Sequence, residues 1–252
     1  MQTLGLVLAG LFLPLFPLGM IFNSLFQRIP SAWLRALLLV LWPLPGVWLV
    51  NLYVTDVPDW LLIWALFSAA LYGFRAVVVR EFGVWSGFFA TSAWTLGWIG
   101  LAVGETGTQL YWHVLAFSLP LALLVLLAGE IERRYESAYA GVVSGVAQSQ
   151  PRLSAMLVVT MLAVIGSPLF PAFFAMLNTI IHAAAALPLV ALGLTGVWLL
   201  WSWSGAKLMQ ELLIGPAATD PHDDISHSVT AGYTITLLVL LAAGLYLSGA
   251  ML

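Results

Sequence analysis

Apolar runs of about 20 residues recur along nearly the whole chain, separated by short polar or turn-forming stretches. A helix rising about 1.5 Å per residue needs about 20 apolar residues to cross the hydrocarbon of a bilayer. On that rule the pattern predicts nine helical spans, at about 4–22, 34–54, 60–79, 84–103, 111–129, 153–168, 170–188, 190–213 and 229–250. Arg75 falls late in the third, and the sixth is cut short by a Gly–Pro break. The expected fold class is therefore an all-α polytopic membrane protein.

The most informative of these runs is Pro151–Asn178, where Gly166, Pro168 and Pro171 interrupt a stretch otherwise apolar enough to cross a membrane. An unpaired backbone N–H or C=O in hydrocarbon costs several kcal/mol, so a broken helix survives only inside protein or along a wet cavity. Transporters place broken helices at ion and substrate sites for that reason. A kink or tight turn between two packed helices gives the same sequence, because Gly and Pro are frequent in membrane helices. On this feature alone the second reading is the commoner one.

Composition and charge agree with the spans. Hydrophobic residues make up 62% of the chain and charged residues 8%, where a soluble domain carries about 25% charged. No water-soluble domain is visible. Cysteine is absent, which excludes disulfides, thiolate metal sites and thiol nucleophiles. The net charge of -3 comes with no basic run suited to nucleic acid or a polybasic lipid patch. The first span has no basic segment before it and holds Pro14 and Pro17, which favours a retained helix over a cleaved signal. Arg28 and Arg35, Arg75 and Arg80, and Arg133, Arg134 and Arg152 fall in alternate connections. Asp56 and Asp59, Glu105, and Asp220, Asp223 and Asp224 fall in the others. The positive-inside rule then predicts a bacterial-type inner (cytoplasmic) membrane protein with its N-terminus outside and its C-terminus in the cytoplasm. Trp33, Trp60, Trp85 and Trp112 sit toward span ends, where indoles reach the headgroups. The stretch 130–150 is the one sizeable cytoplasmic loop expected; Glu132, Arg133 and Glu136 suggest a surface helix in its first half. It reads as a partner-docking site or, more commonly, a solvated connection.

Charges inside spans are costly, so each is a candidate for function. Lys207 and Glu211 lie four apart on one face of the eighth span. They read as part of an ion path or as an interfacial pair snorkelling to the outer surface, the second being favoured. His182 lies beyond the break with Asn178 four residues before it on the same face. A neutral imidazole there can pass a proton, although a histidine bonded to a backbone carbonyl is the commoner case. Arg75 is expected against Glu81 or at the inner boundary, and His113 facing the headgroups. A b-type haem needs two facing axial ligands, and His113 and His182 lie at different depths. The loop with Asp220, His222, Asp223, Asp224 and His227 could offer metal ligands, but a polar loop has the same composition. No nucleophile triad, phosphate loop or zinc helix motif is present, so neither a cofactor nor an independent enzyme reaction is expected.

Residues 111–250 carry an ordered series of weak motifs. An apolar helix ends in glycine (116–129), and a glycine-containing loop leads to Pro151-Arg152-Leu153. Next come the Gly-x-Pro break in 163–174, a long helix ending at 208–216, and a loop with Asp223-Asp224-Ile225-Ser226 before a last helix. In this order the motifs resemble the antiporter-like membrane subunits of respiratory complex I and relatives. Those relatives include cation/proton antiporter complexes and the membrane subunit of inorganic-carbon uptake systems. Residues 1–110 remain unassigned helices beside this antiporter-like part (111–252).

The resemblance implies a discontinuous helix beside a buried relay of lysines, histidines and glutamates. Here Phe117, Leu121 and Met176 stand at the positions matched to relay residues, and none of them binds a proton. It also implies a longer chain, about twice this length. The expectation is an accessory or structural membrane subunit of a complex-I-like, ion(proton)-coupled assembly, held in lipid beside a larger antiporter-like subunit and other subunits. The alternative is a direct proton-coupled transporter subunit, for example for bicarbonate or CO2. It would use His182, Lys207, Glu211 and Asn178 as the candidate path beside Gly166, Pro168 and Pro171.

Overall fold

A computed structural model describes residues 2–54, 57–105, 107–216 and 223–251; Asp56, Asp220 and His222 lie outside them. The described residues are helical throughout, apart from connections and two isolated β-bridges. The helices are α1 (Gln2–Phe12), α2 (Gly19–Arg28), α3 (Ala32–Leu41), α4 (Pro43–Tyr53), α5 (Asp59–Val78), α6 (Phe82–Thr95) and α7 (Gly97–Ala102). They continue with α8 (Gly107–Tyr135), α9 (Val146–Ser149), α10 (Pro151–Val164), α11 (Pro171–Ala186), α12 (Pro188–Leu213) and α13 (His227–Met251). One hydrophobic core runs through them, from Ala9 on α1 to Leu212 on α12 and Ile225 before α13.

Among the described residues, five segments are long and apolar enough to cross a membrane unaided: Ala32–Tyr53, Asp59–Val78, Gly107–Tyr135, Pro188–Leu213 and His227–Gly249. The nine expected spans are not reproduced. The runs 153–168 and 170–188, counted separately from sequence, are α10 and α11, of 14 and 16 residues. At about 1.5 Å per residue neither reaches the roughly 30 Å of hydrocarbon. The first run, 4–22, is also broken, because Pro14 and Pro17 separate α1 from α2. Proline removes a donor and clashes with the preceding turn, so the helix stops and restarts. The expected surface helix after residue 130 is instead the last turns of α8, which continues to Tyr135.

Both breaks are closed by side chains from other helices. At the first, the Trp98 indole donates to the Leu13 carbonyl (3.0 Å) and Trp64 to that of Phe16 (2.7 Å). Trp42 donates to Leu11 (3.3 Å), and the Thr95 hydroxyl lies 2.8 Å from the Pro14 carbonyl. Ser68 Oγ accepts from the Phe16 N–H (3.0 Å). At the second, the Trp198 indole donates to the Ile165 carbonyl (2.8 Å). Gly166 and Leu169 turn the chain at φ +72° and +82°, and α13 lies so close that a Cβ on Gly244 would strike the Leu169 carbonyl. These donors answer the backbone groups that proline and the turn set free, which hydrocarbon cannot do.

Charged residues collect at one end of the bundle. Arg35 makes a two-point contact with Glu132 (3.0 and 3.1 Å), Arg80 pairs with Glu211 (3.2 Å), and Arg133 and Arg134 both pair with Glu130. Arg134 Nε donates to the Asp223 carbonyl (3.3 Å) and Arg152 to that of Ile225 (2.9 Å). The Asp224 carboxylate accepts from the N–H groups of Arg152 (2.8 Å) and Leu153 (3.1 Å). It thereby caps the start of α10 from a distant part of the sequence. This corrects the sequence reading on two points. Asp223 and Asp224 share a face with the arginines rather than opposing them. Lys207 and Glu211 approach that same face, not the other. The cause is parity: counting one broken helix as two spans inverts every connection after it.

The tryptophans divide in the same way. Trp33 (75% exposed) and Trp60 (64%) face outward as expected, but Trp85 is fully buried. Trp198→Phe is expected to leave the Ile165 carbonyl without a donor at a cost of about 1–3 kcal/mol. Thermal unfolding in detergent should show a lower midpoint than wild type. Trp203→Phe, at a site 68% exposed, should leave it unchanged.

Candidate functional site

Glu105 stands in the short connection between α7 and α8, in the sequence Val103-Gly104-Glu105-Thr106-Gly107. Gly104 takes φ +95°, a conformation open to glycine without strain. The Glu105 N–H returns to the Gly100 carbonyl (2.9 Å). The carboxyl group then lies against Gly100, where a Cβ would collide with it. Only 9% of the residue is exposed.

The second half of the broken helix meets this carboxylate. Asn178 Nδ2 donates to Glu105 Oε1 (3.2 Å), and the Thr179 hydroxyl lies 2.8 Å from the same oxygen. Asn178 and Thr179 are fully buried, as is His113 on the first turns of α8. Glu105 Oε2, Asn178 Oδ1 and both ring nitrogens of His113 have no partner at full hydrogen-bonding geometry. His113 lies within electrostatic reach of the Glu105 carboxylate and faces the Ala93 carbonyl. A cavity of about 320 Å³ adjoins Glu105, with Asn51 and Gly107 in its wall. Among the described residues no Lys or Arg pairs with Glu105. An unpaired buried carboxylate is expensive, and groups left over beside it are what a proton or a small cation would use.

Beyond His113 a run of ring contacts crosses the core. His113 meets Phe117 at 5.3 Å, Phe117 meets Trp201 at 5.3 Å, and Trp201 meets Phe89 at 4.9 Å. Trp201 donates to Ser92 Oγ (2.8 Å) and Trp94 to Ser118 Oγ (2.9 Å), while the buried Trp85 indole, 5.1 Å from Phe89, and the Ser86 hydroxyl have no partner. Phe117, Leu121 and Met176, the positions matched to relay residues, are all buried in this core.

The sequence-derived site residues are dispersed around that layer. Asn178 reaches Glu105. His182 is exposed on the next turn, its Nδ1 2.9 Å from the Asn178 backbone carbonyl, so the contact is to main chain and not to the Asn178 amide. Lys207 Nζ donates to the Val77 carbonyl (3.3 Å), while Glu211 pairs with Arg80. These two therefore do not pair with each other. Arg75 lies over the Phe88 ring (5.2 Å), and Glu81 caps α6 through Gly83 and Val84 (3.1 Å each), so that expected pair is also absent. Gly166, Pro168 and Pro171 shape the break, whose freed Ile165 carbonyl is taken by Trp198. Asp223 and Asp224 are engaged with the backbone and arginines described above, and His227 opens α13.

Sequence reasoning missed Glu105 and His113, reading the first as a loop acid and the second as facing headgroups. A signal was present: Gly100, Gly104 and Gly107 flank Glu105, and small residues on both sides of a lone acid let a chain fold it inward.

The sequence profile of the family described as NADH:quinone oxidoreductase/Mrp antiporter, transmembrane, matches residues 60–200, more than half of the chain. No curated protein matches the sequence. Among solved structures, a chain of respiratory complex I from Thermus thermophilus with bound NADH is similar at TM-score 0.85 and 22% identity, over 96% of this chain and 54% of that one. A chain of the Mrp complex from Dietzia sp. DQ12-45-1b matches at TM-score 0.86 and 18% identity, over 99% and 57%. A chain of the membrane-bound sulfane sulfur reductase, an archaeal respiratory membrane complex, matches at TM-score 0.82 and 16% identity, over 96% and 52%. This chain thus spans about half the length of those it resembles.

Glu105→Ala is expected to strand the Asn178 and Thr179 donors and lower stability by about 1–3 kcal/mol. Glu105→Gln keeps an acceptor oxygen in place and should fall between wild type and Glu105→Ala in detergent melting. The reverse order would count against the contact as described.

Proposed function

The chain belongs to the NADH:quinone oxidoreductase/Mrp antiporter transmembrane family, and we propose that it serves as an accessory, non-conducting subunit of a complex-I-like or Mrp-like ion-coupled membrane assembly. The observation that carries this reading is the ring layer of Phe89, Phe117 and Trp201. On α8 the order is His113, Phe117, Leu121, and then Glu130 at the charged end. On α12 it is Trp201, Lys207, Glu211 toward the same end. The Glu105 cluster and the Lys207–Glu211 region therefore lie on opposite sides of a packed aromatic layer. A proton needs donors and acceptors in sequence, and aromatic carbon supplies none.

The shared charged face supports a topology among the described residues in which each broken helix crosses once, as do α3 with α4 and α6 with α7, giving eight crossings with α5, α8, α12 and α13. The first residues of α1 and the last of α13 then lie on the face opposite the arginines, which the positive-inside rule assigns to the outside. On this reading both ends lie outside, which differs from the sequence expectation at the C-terminal end.

A second reading, direct proton-coupled transport, rests on Glu105, Asn178 and His113. The two readings separate in one experiment. The purified chain in vesicles should show no proton flux above empty vesicles, and mild-detergent extraction should recover it with a larger antiporter-like subunit. Flux by the chain alone that disappears in Glu105→Gln would replace the accessory reading with the transport one.

A further inference from the structure

The arginines at the charged end are not equally engaged. Arg35, Arg80, Arg133 and Arg134 sit in ion pairs, and Arg152 bonds the Ile225 carbonyl. Among the described residues, Arg28 and Arg75 form no ion pair. Both open onto one cavity of about 400 Å³. The cavity exists because α2 and α5 each pack on α6 and leave a slot between their last turns, with Phe88 of α6 in its wall. The Arg75 guanidinium lies over that ring (5.2 Å), and the Tyr72 ring stacks on it (6.0 Å).

No Asp or Glu lines this slot, whereas Ser24 and Gln27 add hydrogen-bond donors to its wall. The Tyr72 hydroxyl is buried without a partner and lies within electrostatic reach of Arg75. The unpartnered acceptor of the same wall, Asn23 Oδ1, is turned to Gly87 on α6. One arginine at a helix end is ordinary, because it faces the negative pole of the helix dipole. Two from different helices on a wall with no acid form a site that an anion complements.

We propose that this slot holds the phosphate of one acidic phospholipid, bridged by Arg28 and Arg75. The flanks of the slot select a lipid over a free phosphate or a carboxylate from a partner subunit. Met20 and Phe67 each lie eight residues before one of the arginines, about 12 Å deeper along α2 and α5. Both are exposed, so the cationic mouth continues into apolar surface that an acyl chain covers. Basic pockets between membrane helices at the positive face are where acidic headgroups bind. Guanidinium groups match the phosphodiester oxygens, and their charge disfavours a headgroup that also carries an ammonium.

The full chain in nanodiscs of equal phosphatidylglycerol and phosphatidylcholine, released in mild detergent, should retain one phosphatidylglycerol in native mass spectrometry. Phosphatidylglycerol should be held at least tenfold better than phosphatidylcholine. Arg28→Gln and Arg75→Gln should each reduce its retention at least fivefold, and the two together should remove the preference. Arg133→Gln strips an exposed charge from the same rim outside the slot and should change nothing. Unchanged retention in Arg28→Gln, or an equal loss in Arg133→Gln, overturns the site. Displacement of the lipid by millimolar inorganic phosphate assigns the slot to a soluble anion and overturns the lipid. In the assembled complex, a photoreactive side chain in place of Ser24 should label lipid, and a cross-link to a partner subunit there overturns the proposal. Should Arg75→Gln fail to fold, Arg28→Gln at its exposed helix end carries the same test.

Discussion

The architecture depends on one constraint: a helix may be interrupted inside a membrane only where something else satisfies its backbone. Among the described residues, the α1–α2 and α10–α11 breaks each span several residues, and in both cases the answer is largely tryptophan. Indole suits the task because it has a single donor at the edge of a large apolar ring. It can fill core volume and reach a carbonyl with the same side chain. Trp42, Trp64 and Trp98 close the first break, and Trp198 closes the second. The donors come from the residue between α3 and α4, and from α5, α7 and α12, so each break ties remote parts of the sequence together.

The same economy limits function. Trp201 and Trp94 take the hydroxyls of Ser92 and Ser118, which are among the few polar atoms at the middle level. Phe89 and Phe117 pack around them with Trp201, which is the basis of the accessory reading. A broken helix beside a polar cluster is a plausible ion site on geometry alone. Here the Ile165 carbonyl at the break is capped by Trp198, and the His113 ring beside the Glu105 cluster packs on Phe117. The fold of a transport subunit and the chemistry of one are separable, as the sharing of folds across functions leads one to expect.

Much of this was legible in the sequence, and the failures share a cause. The all-α membrane class, the break at Gly166–Pro171 and the apolar residues at positions 117, 121 and 176 are local facts that periodicity and motif order carry. Span count was not legible, because hydropathy treats two half-helices totalling one crossing as two. That one unit of parity sent Asp223, Asp224, Lys207 and Glu211 to the wrong face. The Trp64 and Trp98 donors and the burial of Glu105 and His113 depend on contacts with other helices, and composition reads an acid between two spans as solvated.

The position of Glu105 bears on how the second half of the broken helix, which has no Asp, Glu, Lys or Arg, keeps its shape. Where the resemblance expects a charged residue, the chain has Met176, buried and inert. Two residues on, Asn178 and Thr179 turn their donors to a carboxylate that arrives from a different connection. The half-helix is thus held by an acid outside itself, and the contact fixes α11 against the α7–α8 turn. A carboxylate accepts both donors at once, which few neutral groups of that size can do. Retaining one buried acid is then explicable by packing order alone: it orients the second half of a broken helix whose first half is already held by Asp224 at its start.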